Sequence, residues 1–498
     1  MKNKSFKLVI CLLLAFLNCE SFGQTSIKYD IVIAGGRVID PESNLDAIKN
    51  IGINNGKVSA ITNQPILGKE TINAKGLIVA PGFIDMHVHG RTNQEQEFQL
   101  HDGLTTTLEL EWGVENIKEW YESRNKKAII NYGASVCWPF ERFRSFEKYK
   151  DSCEGLTKNS MAGNSSLEKL FNAIGNSYNQ KPSENELAKT ELNIINSLKE
   201  GGIGIGAPIG YLPKTNPEEF YQLFKIAGDR KTMIFSHVRE PNIISLQEAI
   251  SNAATTGASL HLVHINSMAL GHIQLALDMV KDAKKKGIDI STEMYPYTAA
   301  STLLQSAIFN EGWQQRLDMT YNDLQWVLTG ERLTNETFNK YRTTGGAVIM
   351  HMMKPEWINK GMLDKNVMIA SDGMPYSQLA HPRTAGTFSR VLGKYVRDEK
   401  IIDLNTAIAK MTLLPAKRLE KIAPAMQQKG RIKIGGDADI TIFNAEKITD
   451  KASFEQGLRF SEGVEYVIVN GVLVLKNGNT IPNIFPGKGI YGKEKTNN

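Results

Sequence analysis

The sequence predicts an α/β protein in which a (β/α)8 barrel of the TIM type carries a small β-sandwich built from the two ends of the chain. Apolar strand-like segments alternate with amphipathic helical ones through the middle, and hairpin-like runs occupy both ends. Histidines and carboxylates stand at or just after the ends of several apolar segments. With 498 residues, of which 41% are hydrophobic, the chain is long enough to bury the cores of both parts.

The two ends of the chain have the same β-hairpin character. The runs YDIVIAGGRVID and IGINNGKVSAI near the start, and ITIF and VEYVIVNGVLVLKNG near the end, are interrupted by glycine-containing turns. Because they enclose a long α/β middle, we predict that they pair in one small sandwich. The predicted boundaries are 24–81 and 429–498 for the sandwich and 82–428 for the barrel.

The middle of the chain supplies the predicted barrel strands. Short apolar or β-branched segments are separated by amphipathic segments such as PEEFYQLFKIAGDR, as a parallel barrel requires. After PGFIDMHVHG and GLTTTLELEW, the candidate strands are AIINYGASV, GGIGIGAPI, TMIFSHV, SLHLVHI, DISTEMY, AVIMHMM and VMIASD.

The first residues of the chain predict an export signal. The start MKNKSFK carries three lysines, an apolar run from Leu8 to Leu17 follows, and Ser21 to Gly23 supplies small residues where a signal peptidase cleaves. We therefore predict a signal peptide over 1–23 and a periplasmic or secreted protein. The run is too short for a stable membrane span. A lipoprotein attached through Cys19 is the alternative, which Asn18 disfavours because a small residue is usual there.

Without that signal, Cys137 and Cys153 are the remaining cysteines, and both a disulfide and two free thiols stay open. The 58 Lys and Arg residues nearly balance the 53 Asp and Glu residues, giving a net charge of +5. There is no basic stripe and no nucleic-acid motif, so we expect a small-molecule substrate and no nucleic-acid partner.

The string PGFIDMHVHG places His87 and His89 two residues apart after an apolar run. In an extended strand such side chains leave the same face, roughly 7 Å apart, so that both imidazoles can bind one metal ion. His237, His264 and Asp372 also follow apolar segments. Because the carboxyl ends of parallel strands meet at one end of a barrel, we predict that these five residues form one metal-dependent site. Core histidines are the alternative interpretation.

These motifs resemble those of the amidohydrolase superfamily, and specifically its N-acyl-D-amino-acid deacylase (D-aminoacylase) branch. PGFIDMHVHG is similar to the first metal motif of the superfamily. The strings similar to the branch are GLTTT, SHVRE, YPYTAAST, SDGMP, HPRTAGTFSRVLGKYVRDE, MTLLPAKRL and KGRIKIGGDADITIF. The resemblance implies a barrel with a small β-domain, one or two divalent ions, with Zn²⁺ expected, and hydrolysis of an N-acyl amino acid.

One departure from the family pattern concerns the metal. The resemblance implies a cysteine ligand where this chain has Trp112. The strand LELEW instead places Glu109 and Glu111 on one face, and a carboxylate can replace a thiolate as an anionic ligand. We expect Glu111, which is nearer the strand end, to be the ligand, with Glu109 as the alternative. Both carboxylates could instead meet buried cations of the barrel wall.

The resulting mechanism assigns roles to these residues. His237 and His264 hold one ion with Glu111, and His87 and His89 serve a second site. Coordination lowers the pKa of water to roughly 7 and supplies a metal-bound hydroxide. Asp372 takes the proton and passes it to the leaving amine, although an aspartate after a strand can also be a helix cap.

The resemblance also implies that Tyr297 and Arg383 face the cleft, where Arg383 would pair with a substrate carboxylate. A wall aromatic and an internal ion pair are the respective alternatives. Typical D-aminoacylases carry a lysine where this chain has Asn266, so the carboxylate clamp lacks one cation. His351 either polarises the scissile carbonyl or caps its strand.

The segment 303–345, with Trp313 and Trp326, is expected to cover the mouth of the site, its aromatic residues shaping the acyl pocket or packing the cover on the barrel. The sequence thus predicts a metal-dependent amidohydrolase that cleaves an acyl amide. A cyclic amide, lactone or isoaspartyl-dipeptide hydrolase is the second enzymatic alternative. A metal-free binding or assembly protein is the alternative from another class.

Overall fold

The computed structural model of the protein describes residues 28–149, 153, 180–374 and 381–496. The predicted signal peptide and Cys19 lie outside these ranges. Within them, none of the helices is both long and apolar enough to cross a membrane. Cys137 and Cys153 are buried free thiols, so of the two open alternatives the structure has the unbonded one.

The β-strands belong to three sheets. In chain order they are β1 Tyr29–Asp40, β2 Leu45–Asn54, β3 Lys57–Thr62, β4 Gly68–Asn73, β5 Ile78–Pro81, β6 Phe83–Asp85, β7 Leu104–Val114, β8 Asn131–Cys137, β9 Ile205–Pro208, β10 Met233–His237, β11 Ser259–Leu262, β12 Ile290–Met294, β13 Ala300–Leu303, β14 Leu324–Trp326, β15 Ala347–Met350, β16 Val367–Ile369, β17 Ile440–Phe443, β18 Val464–Val469, β19 Val472–Lys476 and β20 Asn479–Thr480.

The α-helices lie mainly between the strands of the middle of the chain. They are α1 Asn93–His101, α2 Ile117–Arg124, α3 Trp138–Phe143, α4 Glu184–Lys199, α5 Pro217–Asp229, α6 Ile243–Thr256, α7 Ile265–Ala269, α8 Ile273–Lys285, α9 Trp313–Leu317, α10 Asn335–Thr344, α11 Pro355–Leu363, α12 Arg383–Arg390, α13 Leu404–Met411 and α14 Leu413–Leu419. A π-helical segment, Val391–Asp398, continues α12.

The barrel is an eight-stranded sheet in the order β16-β12-β11-β10-β9-β8-β7-β6, and its neighbours pair in parallel. Its first and last strands meet where the chain leaves them: Asp372 N donates to His87 O at 2.8 Å, and His89 N donates to Gly373 O at 2.7 Å. The predicted (β/α)8 class is confirmed. Closure at this point brings the residues after β6 and β16 together, among them the predicted site residues His87, His89 and Asp372.

The two ends of the chain share one nine-stranded sheet, as predicted. β5 pairs with β17 antiparallel, which joins the N-terminal strands to the C-terminal ones. The long strand β1 serves both parts of the sheet, because its first half pairs with β4 and its second half with β5. The register of β1 shifts between Ile33 and Gly36, where Gly35 has a positive φ of 69°. Isoleucines and valines of both ends form the core of this sheet.

The prediction that AVIMHMM is a barrel strand is wrong. Its apolar part is β15, which lies between β13 and β14 in a separate antiparallel three-stranded sheet. A four-residue apolar run carries no signal of which sheet it joins, because strands of either sheet bury both faces. The aromatic residues of 303–345 pack largely on each other, with the Trp313 and Phe338 rings stacked 5.3 Å apart. They therefore hold this cover together.

Candidate metal centre

His87 and His89 follow β6 and are 1% and 4% exposed. Their rings lie 5.1 Å apart. Each Nε2 atom is 3.2 Å from Glu111 Oε2, and the distances to Asp372 Oδ1 are 3.4 Å from His87 and 3.2 Å from His89. These four residues offer donor atoms that all lie within 4.8 Å of one another, which is close enough for one ion to reach them all.

A second group of donors shares Glu111. His237 ends β10 and His264 follows β11, and His264 Nε2 lies 3.3 Å from the other carboxylate oxygen, Glu111 Oε1. Glu111, His237 and His264 again have donor atoms within 4.8 Å of one another. Glu111 therefore has one oxygen near His87 and His89 and the other near His264, so it could serve as a donor shared by two ions.

Glu109 and Glu111 occupy different positions although they share one face of β7. Glu109 lies behind His89, with Oε2 3.0 Å from His89 Nδ1. A carboxylate on Nδ1 fixes the ring orientation and leaves Nε2 for a metal. The structure thus places Glu111 between the histidines and Glu109 beside one of them.

The corresponding partner of His87 was not predicted from the sequence. Glu293 of β12 accepts from His87 Nδ1 at 2.6 Å and contacts His261 Nε2 at 3.0 Å, and His261 Nδ1 lies 2.7 Å from Ser291 Oγ. We call Ser291, His261, Glu293 and His87 the buried polar chain. The available signal was a lone glutamate inside the apolar strand DISTEMY, since a buried carboxylate requires a polar partner.

The protonation states follow from these contacts. Burial alone would raise the pKa of Glu293, but the charge of His87 and hydrogen bonds from both histidines bring it to about 2. Burial lowers the pKa of His237 to about 4, with His264 adding to the effect. His237 Nδ1 donates to Val238 O at 2.8 Å, so Nε2 keeps its lone pair. His237 is therefore neutral at pH 7, as a metal ligand must be.

Opposite charges stabilise one another among the other residues of the centre. Burial opposes the charge of His87 and His89, but neighbouring carboxylates outweigh it and raise the pKa of both well above the usual value. The same contacts hold the pKa of Glu111 well below its usual value against the effect of burial. A divalent cation would take over this role, because it neutralises the carboxylates while the imidazoles bind it in neutral form.

Asp372 is held in an uncommon backbone conformation. Its φ is 52°, in the left-handed region, which costs a non-glycine residue roughly 1–3 kcal/mol. Its Oδ2 lies 2.7 Å from Arg383 Nη1, and this charge opposes burial and lowers the pKa of Asp372. The carboxylate is ionised at neutral pH and able to accept a proton.

The three residues predicted to bind substrate are not brought together. Arg383 is buried against Asp372, the internal ion pair that was its alternative, and its Nε has no hydrogen-bond partner among the described residues. Tyr297 contacts Pro382 O and Asp450 Oδ2, each at 3.4 Å, so it is a wall residue in this structure. His351 bonds Gln325 Oε1 at 2.9 Å beside the three-stranded sheet, and burial lowers its pKa to about 4.

The space above the donors is small. The described residues enclose a cavity of about 20 Å³ there, enough for one water molecule. Besides donor residues it is lined by Trp112, Tyr211, Met374 and residues 301–303 of β13. Trp112, at the position of the expected cysteine, thus forms part of the wall.

The chain resembles known proteins over most of its length. Residues 223–475 match the family model described as the amidohydrolase family. N-acyl-D-glutamate deacylase of Alcaligenes xylosoxydans xylosoxydans is 26% identical over 473 residues, which cover 90% of this chain and 94% of that protein. D-aminoacylase of the same organism is 25% identical over 471 residues, covering 90% and 95%.

A solved structure has the same fold. It is N-acyl-D-glutamate deacylase from Bordetella bronchiseptica, complexed with zinc and a phosphonate inhibitor that mimics the tetrahedral intermediate. The TM-score is 0.78 at 22% identity, and the match covers 93% of this chain and 100% of that one.

Proposed function

The chain belongs to the amidohydrolase family, and on that premise we propose that it removes the acyl group from an N-acyl-D-amino acid with one or two Zn²⁺ ions. The observation that carries the proposal is the position of Glu111, one oxygen toward His87 and His89 and the other toward His264. Imidazole nitrogens and carboxylate oxygens are the donors that Zn²⁺ binds in hydrolytic sites.

The residues divide the work of amide hydrolysis. Zn²⁺ bound there supplies Lewis acidity and lowers the pKa of water toward 7. Asp372, 3.2 Å from His89 and ionised, accepts the proton of the attacking water and delivers it to the departing nitrogen. Glu109 and Glu293 keep the rings of His89 and His87 oriented with Nε2 toward the centre.

Arg383 is the candidate for binding the substrate carboxylate. Although Arg383 is ion-paired with Asp372, its Nε has no hydrogen-bond partner among the described residues, so the guanidinium keeps one donor beside the proton-transfer group. Asn266, where typical D-aminoacylases have lysine, donates to Tyr295 O at 3.2 Å and adds no charge. We therefore propose recognition of the carboxylate through Arg383 without a second cation. The D configuration is proposed from the two bacterial relatives.

A hydrolysis panel tests the proposal. We expect purified protein loaded with Zn²⁺ to release free amine from N-acetyl-D-amino acids faster than from the L enantiomers, and removal of metal with a chelator to abolish release. Cyclic amides, lactones and isoaspartyl dipeptides belong in the same panel, because turnover of one of these alone would replace the proposal with the second alternative. A protein that binds no divalent metal and hydrolyses none of them would contradict both.

We also propose that the protein acts in the periplasm or after secretion. The lysines before the run Leu8 to Leu17, and the small residues up to Gly23, support this location. Fractionation of a Gram-negative host expressing the full chain tests it. We expect soluble periplasmic protein that starts after residue 23. An uncleaved cytoplasmic protein would contradict the proposal, and membrane attachment lost in Cys19→Ser would favour the lipoprotein.

A further inference from the structure

A large cavity opens at the end of the barrel opposite the metal residues. It has a volume of about 710 Å³ and is lined by Met233, Ser259, Ile290 and Val367. These are the first residues of β10, β11, β12 and β16. His237, the last residue of β10, belongs to the metal centre. The cavity is therefore separate from the catalytic site, at the N-terminal face of the barrel.

The lining of this cavity is strongly cationic. It contains two carboxylates, Asp289 and Asp364, and eight cationic side chains: Lys231, Lys281, Lys284, Lys285, Lys417, Arg418, Lys421 and Lys493. The whole chain, by comparison, has a net charge of +5. The positive excess of this one cavity is thus as large as that of the entire protein, whose remaining charges nearly cancel.

The two carboxylates already have hydrogen-bond or ion-pair partners other than the lysines of the cavity. Asp289 is paired with Arg418 and accepts from Ser259 Oγ at 2.6 Å. Asp364 Oδ1 accepts from Asn366 N at 2.8 Å.

The lysines mostly lack carboxylate partners. Among the described residues, Lys281, Lys284, Lys417 and Lys421 have no carboxylate oxygen within 4.0 Å. Lys493 Nζ donates to the carbonyl of Lys231 at 2.8 Å, which brings two more lysines to one side of the cavity. Like charges gathered around a concave surface repel one another and attract anions.

We propose that this cavity binds a multivalent phosphate-bearing ligand. Lysines on α8 and around α14 face the cavity from two sides, so two or more phosphate groups can be contacted together. Leu277, Val280 and Ile422 also line it and offer an apolar surface to the remainder of the ligand. Free phosphate compounds and the headgroups of anionic lipids present this chemistry.

The experiment compares two triple variants of the full chain. The cavity variant carries Lys281→Gln, Lys417→Gln and Lys421→Gln. The control variant carries Lys75→Gln, Lys118→Gln and Lys447→Gln, which changes the net charge equally at exposed lysines outside the cavity. The soluble probe is fructose 1,6-bisphosphate, measured by titration calorimetry at fixed ionic strength. The lipid probe is a phosphatidylglycerol vesicle, and binding is measured as the fraction of protein that sediments with the vesicles. Phosphatidylcholine vesicles serve for comparison.

We expect the wild type and the control variant to bind within twofold of each other and the cavity variant to bind at least tenfold more weakly. Loss with fructose 1,6-bisphosphate identifies a soluble phosphate ligand, and loss with the vesicles alone identifies a lipid headgroup. Absence of binding to both probes, or equal weakening in the two variants, would overturn the proposal. Hydrolytic activity is not part of the readout, so failure of this site and failure of the proposed function are distinguishable.

Discussion

The two ends of the barrel differ in whether their charged side chains are paired with opposite charges. At the C-terminal end, carboxylates and histidines are buried and paired, and the rings of His87 and His89 each have a carboxylate on Nδ1 while Nε2 faces Glu111. At the N-terminal end, lysines line an open cavity and mostly lack carboxylate partners among the described residues. The carboxylates and histidines of the metal centre thus neutralise one another, whereas the lysines of the cavity remain available to an anionic ligand.

The difference has a structural origin. The donors of the metal centre lie on or directly after strands, whose backbone positions are fixed by sheet hydrogen bonds on both sides. The lysines extend from helices α8 and α14 and from loops on flexible four-carbon stems. The rigid donors at the C-terminal end therefore suit a small cation that requires a fixed coordination geometry. The flexible lysines at the N-terminal end suit a larger anion that does not.

Asp372→Asn should have the largest effect and separates chemistry from metal binding. The amide cannot accept the proton of the attacking water, so we expect turnover of the N-acyl substrate to fall by about 10³-fold or more. Metal content should stay near wild type because Glu111 and the histidines remain. Rates and metal analysis measure both, with Asp278→Asn on exposed α8 as the matched control. Turnover near wild type would remove Asp372 from the mechanism.

Glu111→Gln tests whether Glu111 is the metal donor shared by the two histidine groups at the C-terminal end of the barrel. Loss of an anionic donor shared by both histidine groups should weaken metal binding on the order of 100-fold or more. Glu109→Gln should weaken it about 10-fold by removing the negative charge beside His89 Nδ1. Competition with a chromophoric chelator gives both constants. A larger loss in Glu109→Gln would assign the ligand role to that residue.

Glu293→Gln probes the buried polar chain. The amide oxygen still accepts from His87 Nδ1, but the negative charge that increases the basicity of the ring is lost. We expect metal affinity to fall about 10- to 100-fold, with exposed Glu446→Gln unchanged. Affinity equal to wild type would mean that ring orientation alone, and not charge, is what Glu293 supplies.

Lys410→Met should have the smallest effect, and it concerns the N-terminal end. Lys410 is fully buried, donates to Asp364 O, and burial lowers its pKa from 10.5 to about 7. Between these values the unfolded chain holds a proton that the folded chain has released, so the free energy of unfolding contributed by Lys410 rises with pH.

Urea denaturation at pH 7 and pH 9 measures this effect. We expect the wild type to gain about 2 kcal/mol relative to Lys410→Met between these pH values. Parallel changes in the two proteins would show that Lys410 keeps its proton in the folded state.

Local patterns were sufficient to predict the barrel, the pairing of the chain ends and the positions of the histidines. The spacing of His87 and His89 fixes a common face, and parallel strands bring their ends together wherever they lie in the chain. The resemblance to the amidohydrolase superfamily is confirmed by the family match.

The rest depended on contacts between distant residues. The partner of His87, Glu293, is 206 positions away, and no local pattern indicates that contact. The polar contacts of Tyr297 with residues 382 and 450, and the place of β15 in a separate sheet, likewise follow from tertiary packing. Neighbouring strands and loops decided these positions, and single-strand periodicity carries no information on them.

The buried polar chain connects the N-terminal end of the barrel with the metal centre. Ser291 lies in the wall of the lysine-lined cavity, yet through His261 and Glu293 it is connected to a ring aimed at the metal centre. Ser291→Ala shortens this connection without touching any residue around the small cavity above the donors. Metal affinity measured in Ser291→Ala would therefore show whether a change at the N-terminal end of the barrel reaches His87.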